Sequence, residues 1–182
     1  MGMPKQPCSA LLFVSTLFLD WGIFRDACHH LEGSFGEVIM ESPTYAWEYS
    51  KHYAPEMGEG LLRRYVFFGR LIDQGEIAAI KLKTNALEQR YSVDGRRRIN
   101  LDPGYLTMAK VVLASTKDYS HRIYLGEGIF AEITMMQQKG RLAGALNCYR
   151  DYQDEQTLRV FSLGRVLYDI LLADSPSLSP QH

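Results

Sequence analysis

The densest run of side chains able to bind, polarise or protonate a substrate lies between Asn100 and Glu132. Lys117 and Arg122 bring the positive charge that a phosphate or carboxylate needs, and Asn100 and Thr116 add hydrogen-bonding groups. His121 is a residue type that can carry a proton between substrate groups. Asp102 and Glu132 are two carboxylates of the same stretch that could act as acid or base. These residues predict a ligand site built from Lys117, Arg122, Asn100 and Thr116, with His121, Asp102 and Glu132 as catalytic candidates. The competing reading of Thr116 to Ser120 is a solvated turn between two strands, because clustered ionisable groups mark sites only probabilistically.

A second candidate is the segment from Ser42 to Gly60, punctuated by Pro43, Pro55, Gly58 and Gly60 and rich in aromatics for a loop. His52, Tyr53 and Glu56, with Arg63 just beyond, are its chemical side chains. Long irregular segments in small domains often serve function, and equally often cover a sheet.

Sharper motifs are missing. There is no G-x-x-x-x-G-K-[ST] loop, no G-x-S-x-G elbow and no H-E-x-x-H pair, so the sequence names no cofactor and no metal site. Thr116-Lys117 is followed by Asp118, whereas the guanine-reading T-K-x-D element needs the aspartate where Tyr119 stands. Gly126-Glu127-Gly128 lacks the third glycine of a dinucleotide fingerprint and sits between strand-like runs. Cys8, Cys28 and Cys148 are too far apart for a zinc ribbon or redox pair, and Cys28 falls on the apolar face of a helix.

The elements that must hold these groups follow from hydrophobic spacing. Ala10 to Leu19 is an apolar run that suits a central strand. Asp20 then caps a helix with Trp21, Phe24, Cys28, Leu31 and Phe35 on one face. Strands are predicted at Glu37 to Glu41 and Leu61 to Phe68. Asp73 and Glu76 form a capping box ahead of a helix to about Tyr91. Ile99 to Leu101 reads as extended, Asp102-Pro103-Gly104 as a turn and Lys110 to Ser115 as a strand. A hairpin around Gly126-Glu127-Gly128, a weak strand near Leu142 and a helix from Asp154 to about Leu172 complete the order. The sequence therefore predicts an α+β fold with a ferredoxin-like (βαββαβ) antiparallel sheet, an added C-terminal β-hairpin and a helix. One domain over residues 1–173 and a disordered tail over 174–182 are expected.

A chain of 182 residues can bury a core without disulfides or metals. Its net charge of −1 offers no global field for nucleic acid or anionic membrane. Arg63, Tyr65 and Phe67 share a strand face, as in RNA-recognition domains, but the glycine-bearing pattern of those domains is missing. The first apolar run is shorter than the ~20 residues a bilayer requires. A cytoplasmic location, no membrane partner and no nucleic-acid partner are the expectations.

Several segments, taken in order, carry a resemblance. They are Tyr53-Ala-Pro-Glu-Met-Gly58, Leu71-Ile-Asp73, Ile80-Lys-Leu-Lys-Thr-Asn85, Asn100-Leu-Asp-Pro-Gly-Tyr105, Leu113-Ala-Ser-Thr-Lys-Asp118 and Ile123-Tyr-Leu-Gly126 through Ala131-Glu132. Together they resemble the bacterial domain-of-unknown-function 4416 family (DUF4416), from the first strand to about Tyr152. The resemblance implies no established activity; a "GTP-binding" label borne by some members has no motif to rest on here. It does single out Glu56, Arg63, Lys81, Asn85, Asn100, Asp102, Lys117 and Glu132, polar positions that core packing does not require.

Two functions are expected from these readings. One is binding of, or catalysis on, a small anionic metabolite, a nucleotide among them. The other is an interaction module or homo-oligomer presenting Trp47, Tyr49 and Tyr53 as an aromatic surface.

Overall fold

A computed structural model describes residues 2–49, 53–146 and 148–174. The candidate His52 and the expected tail beyond Asp174 lie outside the described residues. Strand β1, Ala10–Phe18, is buried along its whole length. Its even residues Leu12, Val14 and Phe18 join one core layer, and Leu11 and Phe13 join another. That is the alternation of a strand covered on both faces.

Asp20 caps helix α1, Trp21–Phe35, by accepting from the backbone N–H of Gly22 at 2.7 Å and of Ile23 at 3.2 Å. Asp73 and Glu76 form the predicted capping box, which opens a short 3₁₀ turn before α3, Ile77–Arg90. Between these helices run β2 (Val38–Glu41), β3 (Tyr45–Ala46), the single-turn α2 (Ala54–Met57) and β4 (Leu62–Ile72). Helices α1 and α3 pack on the same face of the sheet, the face of Leu12 and Val14.

After α3 come β5 (Ile99–Leu106), β6 (Lys110–Ser115), β7 (Ile123–Gly126), β8 (Ile129–Gln138) and β9 (Arg141–Gly144). Among the described residues all join one antiparallel nine-stranded sheet in the order β2-β4-β1-β5-β6-β8-β7, with β3 paired to β4 and β9 to β8. Helix α4, Glu155–Asp174, covers the opposite face, where Phe161 meets Phe13 edge-on with ring centroids 4.8 Å apart. Gly164 lets the helix approach Phe67 and Leu106 closely. Tyr65 and Phe67 are fully buried beneath α4, so this face of β4 offers no aromatics for base stacking. Cys28 is buried on the inner face of α1, and burial, with Glu41 nearby, pushes its thiol up to about 12, which fits a core residue rather than a nucleophile. Among the described residues no helix is long and apolar enough to cross a membrane.

One expectation is corrected. Asp102-Pro103-Gly104 is not a turn but the middle of β5, which is also the strand that lies beside β1. The β5–β6 pairs begin at Gly104, so Pro103, which has no N–H, stands where pairing on that side stops. Gly104 is required for packing, because a Cβ there would run into the Phe13 ring and the Val112 carbonyl. Proline and glycine mark an interrupted ladder and a close contact, which look the same in sequence as a turn.

Candidate functional site

The interruption of the β5–β6 ladder creates the site. Between Gly104 and Leu106 the two backbones pair directly. At Leu101 the partner is instead α3. The Leu101 N–H donates to Glu88 Oε1 at 2.6 Å, and Lys81 Nζ donates to the Leu101 carbonyl at 3.1 Å. Lys81 and Glu88 are seven residues apart, hence on one side of the helix. Their side chains do for Leu101 what a neighbouring strand does elsewhere, and both are buried.

From this pair a continuous polar network extends. Lys81 Nζ also donates to Asp102 Oδ1 at 2.7 Å, and Asn100 Nδ2 donates to Asp102 Oδ2 at 2.8 Å. Arg97 donates to Asn100 Oδ1 at 2.8 Å and to Glu88 Oε2 at 3.2 Å. Its other side grips both Glu56 oxygens, at 2.6 and 2.8 Å. Such a bidentate pair fixes geometry as well as charge, and it ties α2 to the start of β5.

These groups face a cleft of about 590 Å³. Tyr53 and Glu56 line one wall, Lys81, Asn85 and Glu88 of α3 with Ser92 just beyond it the second, and Ser115, Thr116 and Lys117 the third. Asn85, Gln89 and Thr116 make no side-chain hydrogen bond among the described residues, although each borders the cleft. Burial pushes the Asp102 carboxyl up, but Lys81, Asn100 and Arg63 outweigh it and hold it below the ordinary aspartate value. Glu88 goes the other way. Its burial outweighs Lys81, the Leu101 N–H and Arg97, so it holds a proton more readily than an ordinary glutamate.

Behind the third wall lies a second cluster. Arg122 is buried; its Nε donates to Glu132 Oε2 at 2.7 Å, and its Nη1 donates to Ser115 Oγ at 2.7 Å and to the Lys117 carbonyl at 2.9 Å. Its Nη2 donates to Tyr149 Oη at 3.1 Å. His121 Nε2 stands 2.9 Å from the same Glu132 oxygen. Arg122 thus holds the end of β6, which presents Thr116 and Lys117 to the cleft, and does not line the cleft itself.

The two regions singled out in sequence therefore meet. Asn100, Asp102, Thr116 and Lys117 share the cleft with Tyr53 and Glu56. His121, Arg122 and Glu132 form the supporting cluster, and Asp102 and Glu132 do not pair with each other. Arg63 is buried on β4, bonded to Ser15 and 3.0 Å from Asp151, under the Trp47 ring at 4.3 Å. Trp47 and Tyr53 pack against the small core of Leu17, Met57 and Leu61, and Tyr49 donates to Asp154 at 2.7 Å. Trp47 and Tyr53 of this segment are thus packed onto the protein, and Tyr49 is tied to it by one hydrogen bond.

Glu88, Arg97, Ser115 and Tyr149 escaped the sequence reading. A signal existed for the first: Lys81, Asn85, Glu88 and Ser92 recur at steps of four, three and four, a polar helical stripe beside the apolar one. Arg97 was hidden in the run Arg96-Arg97-Arg98, which leads into Ile99 with nothing to set one arginine apart from its neighbours.

The family model described as "Domain of unknown function (DUF4416)" matches residues 8–168. No curated protein and no solved structure matches the chain.

Proposed function

The chain belongs to the DUF4416 family, and from that premise we propose that it binds a small anionic metabolite, with nucleotides among the candidates, in the cleft between α2, α3 and the ends of β5 and β6. The observation that carries this reading is the Glu56–Arg97–Asn100–Asp102–Lys81 network, which opens onto a concave surface. Burying paired charges contributes little net stability compared with apolar packing. Lys81 and Glu88 have a folding task at Leu101, but the Glu56–Arg97–Asn100–Asp102 part of the network lines an open cleft, which a ligand accounts for.

The sign of the ligand follows from the lining. Glu56, Glu88 and Asp102 balance Lys81, Arg97 and Lys117 when all are ionised. Burial raises the Glu88 pKa, which tips this balance toward positive. Lys117 and Thr116 at the rim, with the Asn85 amide opposite, would meet the anionic and polar parts of the ligand. Asp102 is the acid–base candidate, because its carboxylate borders the cleft, whereas His121 and Glu132 stand behind Ser115. We also read the strand order β2-β4-β1-β5, with α1 and α3 on one face, as a ferredoxin-like core extended by β6 to β9.

A thermal-shift screen against nucleotides, sugar phosphates and organic acids tests the proposal. A ligand at 100 times its dissociation constant adds about 2.7 kcal/mol, a shift of several degrees. Stabilisation by one class that is lost in Lys117→Ala and Asn85→Ala is the expected result. A screen without hits, or hits indifferent to both substitutions, contradicts the proposal.

A further inference from the structure

Helix α4 buries Val160, Phe161, Gly164 and Tyr168 against the sheet. Its opposite side is also apolar: Leu163, Val166 and Ile170 are 61%, 58% and 52% exposed. They follow one another at steps of three and four, so they form a single stripe along the helix. Three large apolar side chains in line on the exposed side of a helix make a seam of the kind that a partner helix covers. Beside the stripe, a groove of about 610 Å³ runs between α4 and the β8–β9 turn, lined in part by Met108, Leu142 and Val166.

We propose that α4 pairs with α4 of a second copy of this chain, antiparallel, across a two-fold axis near Val166. The charge distribution along the helix selects this occupant and this orientation. Exposed Arg159, which also pairs with Glu155 one turn earlier at 2.5 Å, lies toward the N-terminal end of the stripe, and exposed Asp169 and Asp174 lie toward its C-terminal end. An antiparallel pair sets Arg159 of each copy against Asp174 of the other and places Leu163 opposite Ile170. A parallel pair sets like charges together and aligns the helix dipoles unfavourably. The contact is isologous, so one patch serves both copies and the assembly closes at two. A single helix pair with its groove buries less than a standard interface, so dimerisation is expected in the micromolar range.

Sedimentation of the full chain over a concentration series tests this. The wild type is expected to pass from monomer to dimer. Val166→Glu, a change at an exposed site, raises the dissociation constant more than about tenfold by placing charge in the seam, with thermal unfolding unchanged at low concentration, where the wild type is also monomeric. Arg159→Glu and Asp174→Arg each weaken the dimer by roughly fivefold, and combining them restores it. Orientation is read by oxidative cross-linking above the level given by the native cysteines. Val166→Cys cross-links, whereas Arg159→Cys does not, because an antiparallel pair holds the two 159 positions roughly 22 Å apart. A monomer at every concentration, a dimer that survives Val166→Glu, or equal cross-linking at 159 and 166 overturns the proposal.

Discussion

Replacing Lys81 with methionine keeps most of the unbranched apolar stem and removes the charged ammonium. Two groups then lose their donor: the Leu101 carbonyl and Asp102 Oδ1, which sit 3.1 and 2.7 Å from the ammonium. Breaking a buried ion pair by removing one partner costs about 3–5 kcal/mol. Asp102 keeps its bond from Asn100, and its side chain is 26% exposed toward the cleft, so water relieves part of that cost. The expected loss is about 2–3 kcal/mol at neutral pH, or roughly 5–10 °C in Tm for a domain of this size. The pH dependence is the more specific signature. In the wild type the Asp102 pKa is lowered, so its contribution is present above the ordinary aspartate range and is lost as pH falls through the depressed value. Without Lys81, burial acts with less opposition and the carboxyl titrates at higher pH. The penalty of Lys81→Met should therefore shrink as pH falls from about 7.5 to about 4.5, where the stranded carboxyl takes up a proton. Urea denaturation at the two pH values gives the comparison. A penalty below about 0.5 kcal/mol, or one unchanged by pH, refutes the account of Asp102 as a buried carboxylate held by Lys81.

Other consequences are equally direct. Glu88→Ala strands the buried Leu101 N–H and should cost about 1–3 kcal/mol in urea denaturation. Glu88 has a raised pKa, so its stabilising contribution is present below the ordinary glutamate range and lost as pH rises through that value. Glu88→Gln should accordingly gain stability relative to wild type on passing from acid to neutral pH, as measured by paired denaturation curves. Gly104→Ala forces a methyl group into the Phe13 ring and the Val112 carbonyl and should cost at least about 1–3 kcal/mol, read as a lower Tm. Asp20→Ala removes the cap of α1 and should cost about 1 kcal/mol, while leaving any ligand binding in the cleft unchanged.

The elements were legible wherever burial imposed a period. The apolar run of β1, the face of α1 and the capping box at Asp73 are local patterns with local causes. Asp102-Pro103-Gly104 was misread because its cause is distant: Phe13 from a strand ninety residues earlier needs the space at Gly104, and a ladder that stops at Gly104 tolerates Pro103. The candidate site was legible by residue type rather than by role. Asn100, Asp102, Thr116, Lys117, Tyr53 and Glu56 were all flagged and share one cleft. Arg122 was flagged for the right chemistry, but Glu132, Ser115 and Tyr149 occupy its donors, and those partnerships depend on how β6, β8 and the segment after β9 converge. Glu88 and Arg97 were missed because a buried glutamate on a helix and an arginine in a basic run have ordinary sequence signatures. Their importance comes from the unpaired backbone of Leu101, which only the assembled sheet reveals.

The central claim is that the cleft between α2, α3 and the ends of β5 and β6 takes a small anionic ligand. Its most direct test is an amide NMR titration of the isotopically labelled chain with the best-stabilising compound, or with a mixture of nucleotides and sugar phosphates. The account predicts saturable shifts concentrated at Tyr53 to Glu56, Lys81 to Ser92, Arg97 to Asp102 and Ser115 to Lys117, with α4 silent. Shifts confined to other surfaces, or none at millimolar ligand, would contradict it.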